Sequence, residues 1–409
     1  MDKPDQFFFQ NTNYRILRIL LSVSGLWPFH TLRRRYLTYL VMVLVLGSGF
    51  VFQVLGIVEV LNDTFAVIDT LPLLVFVTTS MAKMFCVVYA LPQLKILLIK
   101  INEYCLSAKS DEEAKIHNKH AIYARNLGYA YTGFILIHSV LFIMVTLMLR
   151  FVHTSSDKNI TSPDNSQVIF VYRVDYMVDL NTYYIPIFIH TATCSFSTAV
   201  LIIVFDVLYL TMVGHCCGLF AAVKYRLENA VDREEGSNCL PLTLTKDISY
   251  ANVAYCVRRH AETIEFVAAV ESMYSLPLFV HIGESILGLS VLGYQVVTNM
   301  GGINNLLRPA SYLNGLLINV FFENWQGQKI IDFSEKIFES AYNTKWYNMS
   351  IATRKLLIII MMKSRTPLVI TAGKIMIMSY VTFNAVSKSL YFIQLPCKKN
   401  SMRVQVVIF

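Results

Sequence analysis

Seven long apolar stretches constrain this chain more than any other feature. They fall at roughly 36–60, 67–93, 127–152, 184–213, 265–296, 309–327 and 367–395. A helix needs about 20 residues to cross a hydrocarbon core of ~30 Å. Inside lipid there is no water to bond a free peptide group, so a helix is the economical form for each stretch. Charged residues make up 15% of the chain, where soluble domains carry about 25%. The expected fold is an all-α membrane protein with seven transmembrane helices.

The basic residues orient those helices. Of 35 Lys and Arg, 25 lie in the N-terminal segment 1–35 and in the connections 94–126, 214–264 and 328–366. Only 7 lie in the other connections and the tail. Positive charge is retained on the cytosolic side, so the N-terminus is expected inside and the C-terminus outside. Residues 16–27 are apolar, but Arg18 interrupts them and no small-residue cleavage site follows, so no cleavable signal is read there. The glycosylation sequons at Asn62 and Asn159 fall in expected outer connections, and that at Asn348 falls inside. The net charge of +8 is spread over connections and not gathered in one domain, so no nucleic-acid partner is read from it.

Several helices outrun the membrane. A single helix over 184–230 would be about 70 Å long at ~1.5 Å per residue. Residues 247–264 lead into the fifth span, and 328–346 lead out of the sixth. The surplus predicts an intracellular helical bundle. Ile330, Phe333, Ile337 and Ala341 recur at helical spacing, with Phe338, Tyr342 and Trp346 beside them, which predicts an amphipathic helix with one buried face. Gly214 and Gly218 read as a close-packing pair.

Enzyme chemistry has no foothold. His-Glu-x-x-His, Gly-x-Ser-x-Gly and a phosphate loop are all missing from the sequence, and Gly373-Lys374 lacks the preceding glycine of such a loop. None of the eight cysteines has zinc-ligand spacing with histidines. No cofactor is expected. Ionisable residues within spans are the default functional suspects in membrane proteins. Here they are Lys83, Asp206, Glu271 and Glu284, with His138, His190 and His281. Lys83, Asp206 and Glu271 also read as snorkelling or pairing near the inner ends. Glu284 stays open between function and pairing.

Short motifs then recur in order. They are Gly327-Gln328-Lys329-Ile330, Ala341-Tyr342 with Trp346-Tyr347, Arg354-Lys355-Leu356-Leu357 and Thr371-Ala372-Gly373, with Gly25-Leu26-Trp27-Pro28 near the start. Their order and spacing resemble the insect odorant receptor family over nearly the whole chain. The resemblance implies an odour-specific subunit in the plasma membrane of olfactory sensory neurons. It would bind a small volatile odorant and join a shared co-receptor in a hetero-tetrameric, odorant-gated, non-selective cation channel. It also implies a layout: a cytosolic segment 1–35, spans and connections over 36–327, intracellular anchor helices over 328–366, and a pore-lining helix over 367–395 opened by Thr371-Ala372-Gly373. Tyr342, Trp346 and Tyr347 would belong to the anchor where subunits meet. Ser389, Tyr391 and Phe392 match the family's Ser-x-Tyr-Phe, so these and the following Ile393 and Gln394 would line the pore.

Volatile ligands are mostly apolar, so their site should be an apolar, aromatic cavity with few polar anchors. Phe76, Phe142, Met144, Met148, Tyr184, Phe188 and Tyr312, in the outer halves of spans two, three, four and six, are the candidates. Each also reads as simple packing. The tail 396–409 departs from the family, with Pro396, Lys398-Lys399 and a strand-like ending. Rival readings fare worse. A G-protein-coupled receptor needs the opposite orientation, with Asp-Arg-Tyr after span three and Asn-Pro-x-x-Tyr ending span seven. A solute transporter predicts paired broken helices. A gustatory receptor of the same superfamily predicts a Thr-Tyr and Gln-Phe ending.

Overall fold

A computed structural model describes residues 11–107, 110–157, 170–230, 242–299 and 303–388. Helices dominate: α1 (Arg15–Val23), α2 (Leu32–Glu59), α3 (Thr64–Tyr89), α4 (Leu91–Leu106), α5 (Asp111–Asp157), α6 (Tyr184–Glu228), α7 (Leu242–Thr298), α8 (Ile303–Tyr342) and α9 (Ile351–Ser364). Local signals set several boundaries. Asp63 caps α3, its Oδ1 accepting from the N–H groups of Phe65 and Ala66 at 3.0 and 3.3 Å. Pro92 sits in the first turn of α4, where its missing N–H costs nothing. Ser350 caps α9 through the N–H of Thr353 at 3.2 Å.

α6 is one uninterrupted helix of 45 residues. It runs through the centre of the bundle, against α2, α3, α5, α7 and α8. Tyr209, Leu208, Met212, Val213, Cys216 and Phe220 along it are fully buried. Around its C-terminal half packs the main core, which takes in α1, α4 and the Leu26–Trp27 pair, with Trp27 itself completely buried.

Among the described residues, five helices are long and apolar enough to cross a membrane: α2, α3, α5, α6 and α7. α8 is as long as these, but it carries Asn319, Glu323, Asn324 and Gln326, all at most 6% exposed. Its polarity faces protein, not lipid.

The expectation of one buried face on α8 holds for one row. Ile330, Ile337 and Ala341 are buried, and Phe333 is half-buried. The neighbouring row is not: Phe338, Tyr342 and Trp346 are 40, 61 and 43% exposed. The helix also stops at Tyr342. Trp346–Asn348 form a separate 3-10 turn, held by the Arg354 guanidinium, which donates to the carbonyls of Trp346, Tyr347 and Met349 at 2.8–3.1 Å.

The last segment departs from expectation. Thr371-Ala372-Gly373 does not open a helix. Thr371–Ala372 (β1) pairs antiparallel with Met376–Ile377 (β2). Gly373 and Lys374 turn the chain between them with φ of 61° and 57°, and two successive positive φ values are incompatible with a right-handed helix. The hairpin docks on α7 through the Gly373 N–H, which donates to the Ser275 carbonyl at 2.8 Å. Helix resumes at residue 380 and is described to 388. The expected pore residues Ser389, Tyr391, Phe392, Ile393 and Gln394, the tail 396–409 and the sequon at Asn159 lie outside the described residues. Asn62 lies in the exposed turn between α2 and α3.

Candidate functional site

Four helices each contribute one stripe to a single cavity of about 100 Å³. α3 gives Leu73, Phe76 and Val77; α5 gives Ile135, His138, Ser139 and Phe142. α6 gives Ser195, Thr198, Ala199 and Ile202; α8 gives Tyr312, Gly315 and Asn319. Within each helix these positions recur at three- and four-residue spacing, so each stripe is one helical face. Gln53 of α2 and Tyr172 of the 170–183 connection complete the wall. Among the described residues, no Asp, Glu, Lys or Arg lines it. The ring of Tyr312 lies 4.6 Å from that of Phe142 and 5.6 Å from that of Phe76, so the three form an aromatic side to the cavity.

One end of the cavity is closed by the 170–183 connection. Phe170, Val171, Tyr172 and Val174 are buried there. Arg308 donates to the Phe170 carbonyl. The Asp175 N–H donates to the Phe52 carbonyl at 3.2 Å. Tyr176 bonds His190 and stacks on Phe52 with centroids 4.0 Å apart. His190 also meets the Ser48 hydroxyl at 3.0 Å, so this histidine fastens the closure.

Of the seven expected ligand residues, the structure brings Phe76, Phe142 and Tyr312 together on the wall. Tyr184 and Phe188 stack on one another in the aromatic cluster beside it. Met144 and Met148 lie on the outward face of α5, 48 and 65% exposed. Sequence reasoning passed over Gln53, Tyr172 and Asn319, and singled out His138 only as an ionisable residue within a span. The α5 and α6 stripes are visible as periodicity, but periodicity alone does not say which face meets a cavity and which meets lipid.

Directly below the cavity, charges from distant parts of the chain converge. The Lys83 ammonium lies 2.9 Å from Glu323 Oε1 and 3.7 Å from Asp206 Oδ1. The His281 Nδ1–H donates to Glu323 Oε2 at 2.6 Å. Asp206 accepts from the Tyr131 hydroxyl and from the Asn319 amide. Lys83, Asp206, Glu323 and His281 are all under 5% exposed. Lys83 and Asp206 therefore pair with buried partners and do not snorkel. Glu271 accepts from the Thr371 hydroxyl of the hairpin, and His138 bonds Ser311 at 2.9 Å. Asn319 belongs both to the cavity wall and to this network.

One turn further along α8, Asn324 Oδ1 accepts from the Ser379 N–H at 3.2 Å, and Gln328 Oε1 accepts from the Tyr380 N–H at 3.3 Å. The first N–H groups of a helix have no partner within it. Here α8 supplies those partners to the final helical segment. From Tyr312 to Gln328 is 16 residues, or about 24 Å of helix. One rigid element thus runs from the cavity, through the charge network, to the start of the last helix.

The sequence matches the family model described as 7tm Odorant receptor over residues 64–391. Over 153 residues it is 28% identical to the odorant receptor coreceptor of Drosophila melanogaster; the match covers 37% of this chain and only 31% of that relative's length. It is 22% identical to odorant receptor 67a of the same organism over 401 residues, 94% of each chain. Among solved structures, the olfactory receptor OR5 of Machilis hrabei in complex with eugenol superposes with a TM-score of 0.69 at 15% identity, covering 94% of this chain and 97% of the other.

Proposed function

We propose, for a chain that belongs to the 7tm odorant receptor family, that the four-helix cavity is its odorant site and that α8 carries occupancy of that site to the last helix. The family and its fold are those of receptors and ion channels, not enzymes. In this reading the chain is a subunit of an odorant-gated, non-selective cation channel, assembled as a hetero-tetramer with a shared co-receptor in the plasma membrane of olfactory sensory neurons. The observation that carries it is the continuity of α8. Tyr312, Gly315 and Asn319 face the cavity, and Asn324 and Gln328 cap the last helix.

The mechanism follows from population shift. An odorant that fits the cavity better in one arrangement of α8 favours that arrangement by its difference in affinity for the two states. The caps at Ser379 and Tyr380 then pass the change to the helix leading to Ser389, Tyr391, Phe392, Ile393 and Gln394, which we assign to the pore. The exposed Tyr342, Trp346 and Tyr347 are assigned to contacts between subunits. Large aromatic side chains left uncovered at a bundle edge are typical interface anchors.

Filling the cavity tests the site. Ala199 lines it and is 8% exposed. Ala199→Phe places a ring in the space an odorant would occupy. With the receptor co-expressed with a coreceptor, the EC50 of every activating odorant is expected to rise at least tenfold, equivalent to about 1.4 kcal/mol. Unchanged dose–response curves at normal surface expression would remove the cavity from consideration.

The proposed topology has seven spans, with the N-terminus inside. Asn62→Cys is expected to react with a membrane-impermeant maleimide on intact cells. Asn348→Cys, in the exposed 3-10 turn, is expected to react only after permeabilisation. The reverse pattern would overturn the orientation.

A further inference from the structure

The cavity has a polar edge that no group among the described residues satisfies. Gln53 lies two turns before the C-terminal end of α2, is fully buried and lines the cavity. Neither its amide nitrogen nor its amide oxygen has a hydrogen-bond partner among the described residues. The Tyr312 hydroxyl, also on the wall, is likewise unpartnered. The Tyr172 hydroxyl has the Cys194 thiol beside it and makes no hydrogen bond of good geometry. Most of the wall's remaining polar groups are occupied: His138 by Ser311, Ser139 by the Ile135 carbonyl, Thr198 by the Cys194 carbonyl, and Asn319 by Asp206 and Tyr131.

A buried amide with both of its functions open is unusual, because buried polar groups are almost always bonded. From these groups we infer that the receptor selects neutral ligands bearing a hydroxyl, aromatic alcohols and phenols above all, with Gln53 as the residue that sets this preference. The inference rests on the cavity being the odorant site. A primary amide presents a donor and an acceptor side by side. A ligand hydroxyl offers the matching acceptor and donor in one group, whereas an ether offers only the acceptor and a hydrocarbon neither. The Phe76, Phe142 and Tyr312 rings suit a flat, unsaturated body, since aromatic faces and edges pair favourably at such distances. A carboxylate or a protonated amine would enter a wall without a counter-charge, so charged ligands are excluded. Sites built to bond a hydroxyl discriminate strongly against analogues without one, because the site's own polar groups are then stranded.

The test uses full-length receptor co-expressed with a coreceptor. The ligands are matched sets of phenylalkanols and alkylphenols, their methyl ethers and the parent alkylbenzenes. The expected result in the wild type is that each alcohol or phenol is at least tenfold more potent than its ether and its hydrocarbon. Gln53→Leu is expected to abolish that ranking while alkylbenzenes keep or gain potency. Surface expression should hold, since the change removes a stranded amide and keeps the volume. Gln53→Asn, which withdraws the amide by one methylene, should give an intermediate ranking.

No ranking in the wild type, or a ranking that survives Gln53→Leu, overturns the inference; the second result would mean that water satisfies the amide. So does a panel in which no hydroxyl compound activates. Ala199→Phe separates the two levels of argument. If it leaves all responses intact, the cavity reading itself has failed. If it blunts every ligand while Gln53→Leu changes no ranking, the cavity stands and only the role of Gln53 falls.

Discussion

Lys83→Met is expected to remove this protein from the cell surface. Among the described residues, Lys83 is the one ammonium in a buried cluster that also holds Asp206 and Glu323. It sits 2.9 Å from one carboxylate and 3.7 Å from the other, with the Phe205 ring 4.5 Å away. Taking away one member of a buried ion pair strands its partner in a medium that solvates charge poorly, at a cost of about 3–5 kcal/mol. Folded proteins are stable by only about 5–15 kcal/mol in total. Two carboxylates facing each other across α6 and α8, with only His281 left to answer them, should leave little of that margin. Surface biotinylation and the thermal stability of detergent-solubilised receptor both read the effect. The double variant Lys83→Met with Glu323→Gln lowers the stranded charge and should recover part of the loss. Wild-type surface levels for Lys83→Met alone would mean that the cluster does not hold the charges assigned to it.

The second large effect concerns signal, not delivery. Gly327 is where α8 and the start of the last segment touch backbone to backbone. A Cβ there would overlap the carbonyl oxygen and Cβ of Met378. Alanine must therefore push the two chains apart, and forced overpacking of this kind costs about 1–3 kcal/mol. The strain falls between Asn324 and Gln328, the residues that cap Ser379 and Tyr380. Gly327→Ala is thus expected to reach the surface yet lose most of its odorant-evoked current per surface receptor. Whole-cell current normalised to surface label is the measurement. A normal ratio would argue against α8 as the connection between the cavity and the last helix.

Both predictions draw on contacts of a kind that local sequence does not display. Lys83 and Glu323 are 240 residues apart. Lys83 alone reads equally well as a snorkelling or a pairing side chain, and Glu323 went unread among the ionisable residues of the spans. Their meeting depends on the rotation of α3 and α8 about their own axes. The same holds for Met144 and Met148, which share α5 with Phe142 yet face outward. Gln53 was invisible for a related reason, since one amide in an apolar helix has no periodicity to betray its direction.

What the sequence determined by itself is the material of the fold. All the apolar stretches but the last read correctly as helical, because lipid leaves the backbone no other partner. Their surplus length predicted helices longer than a span, and α6 runs its 45 residues without a break. The order of the short motifs was enough to indicate the family. The tertiary structure alone decided which face of each helix lines the cavity, which charges neutralise one another, and that residues 371–377 form a hairpin before the last helix begins. Periodicity fixes angles within one helix, but it carries no information about the absolute rotation of that helix against its neighbours. That rotation is set by packing summed over the whole bundle, and the cavity, the charge network and the trans caps all depend on it.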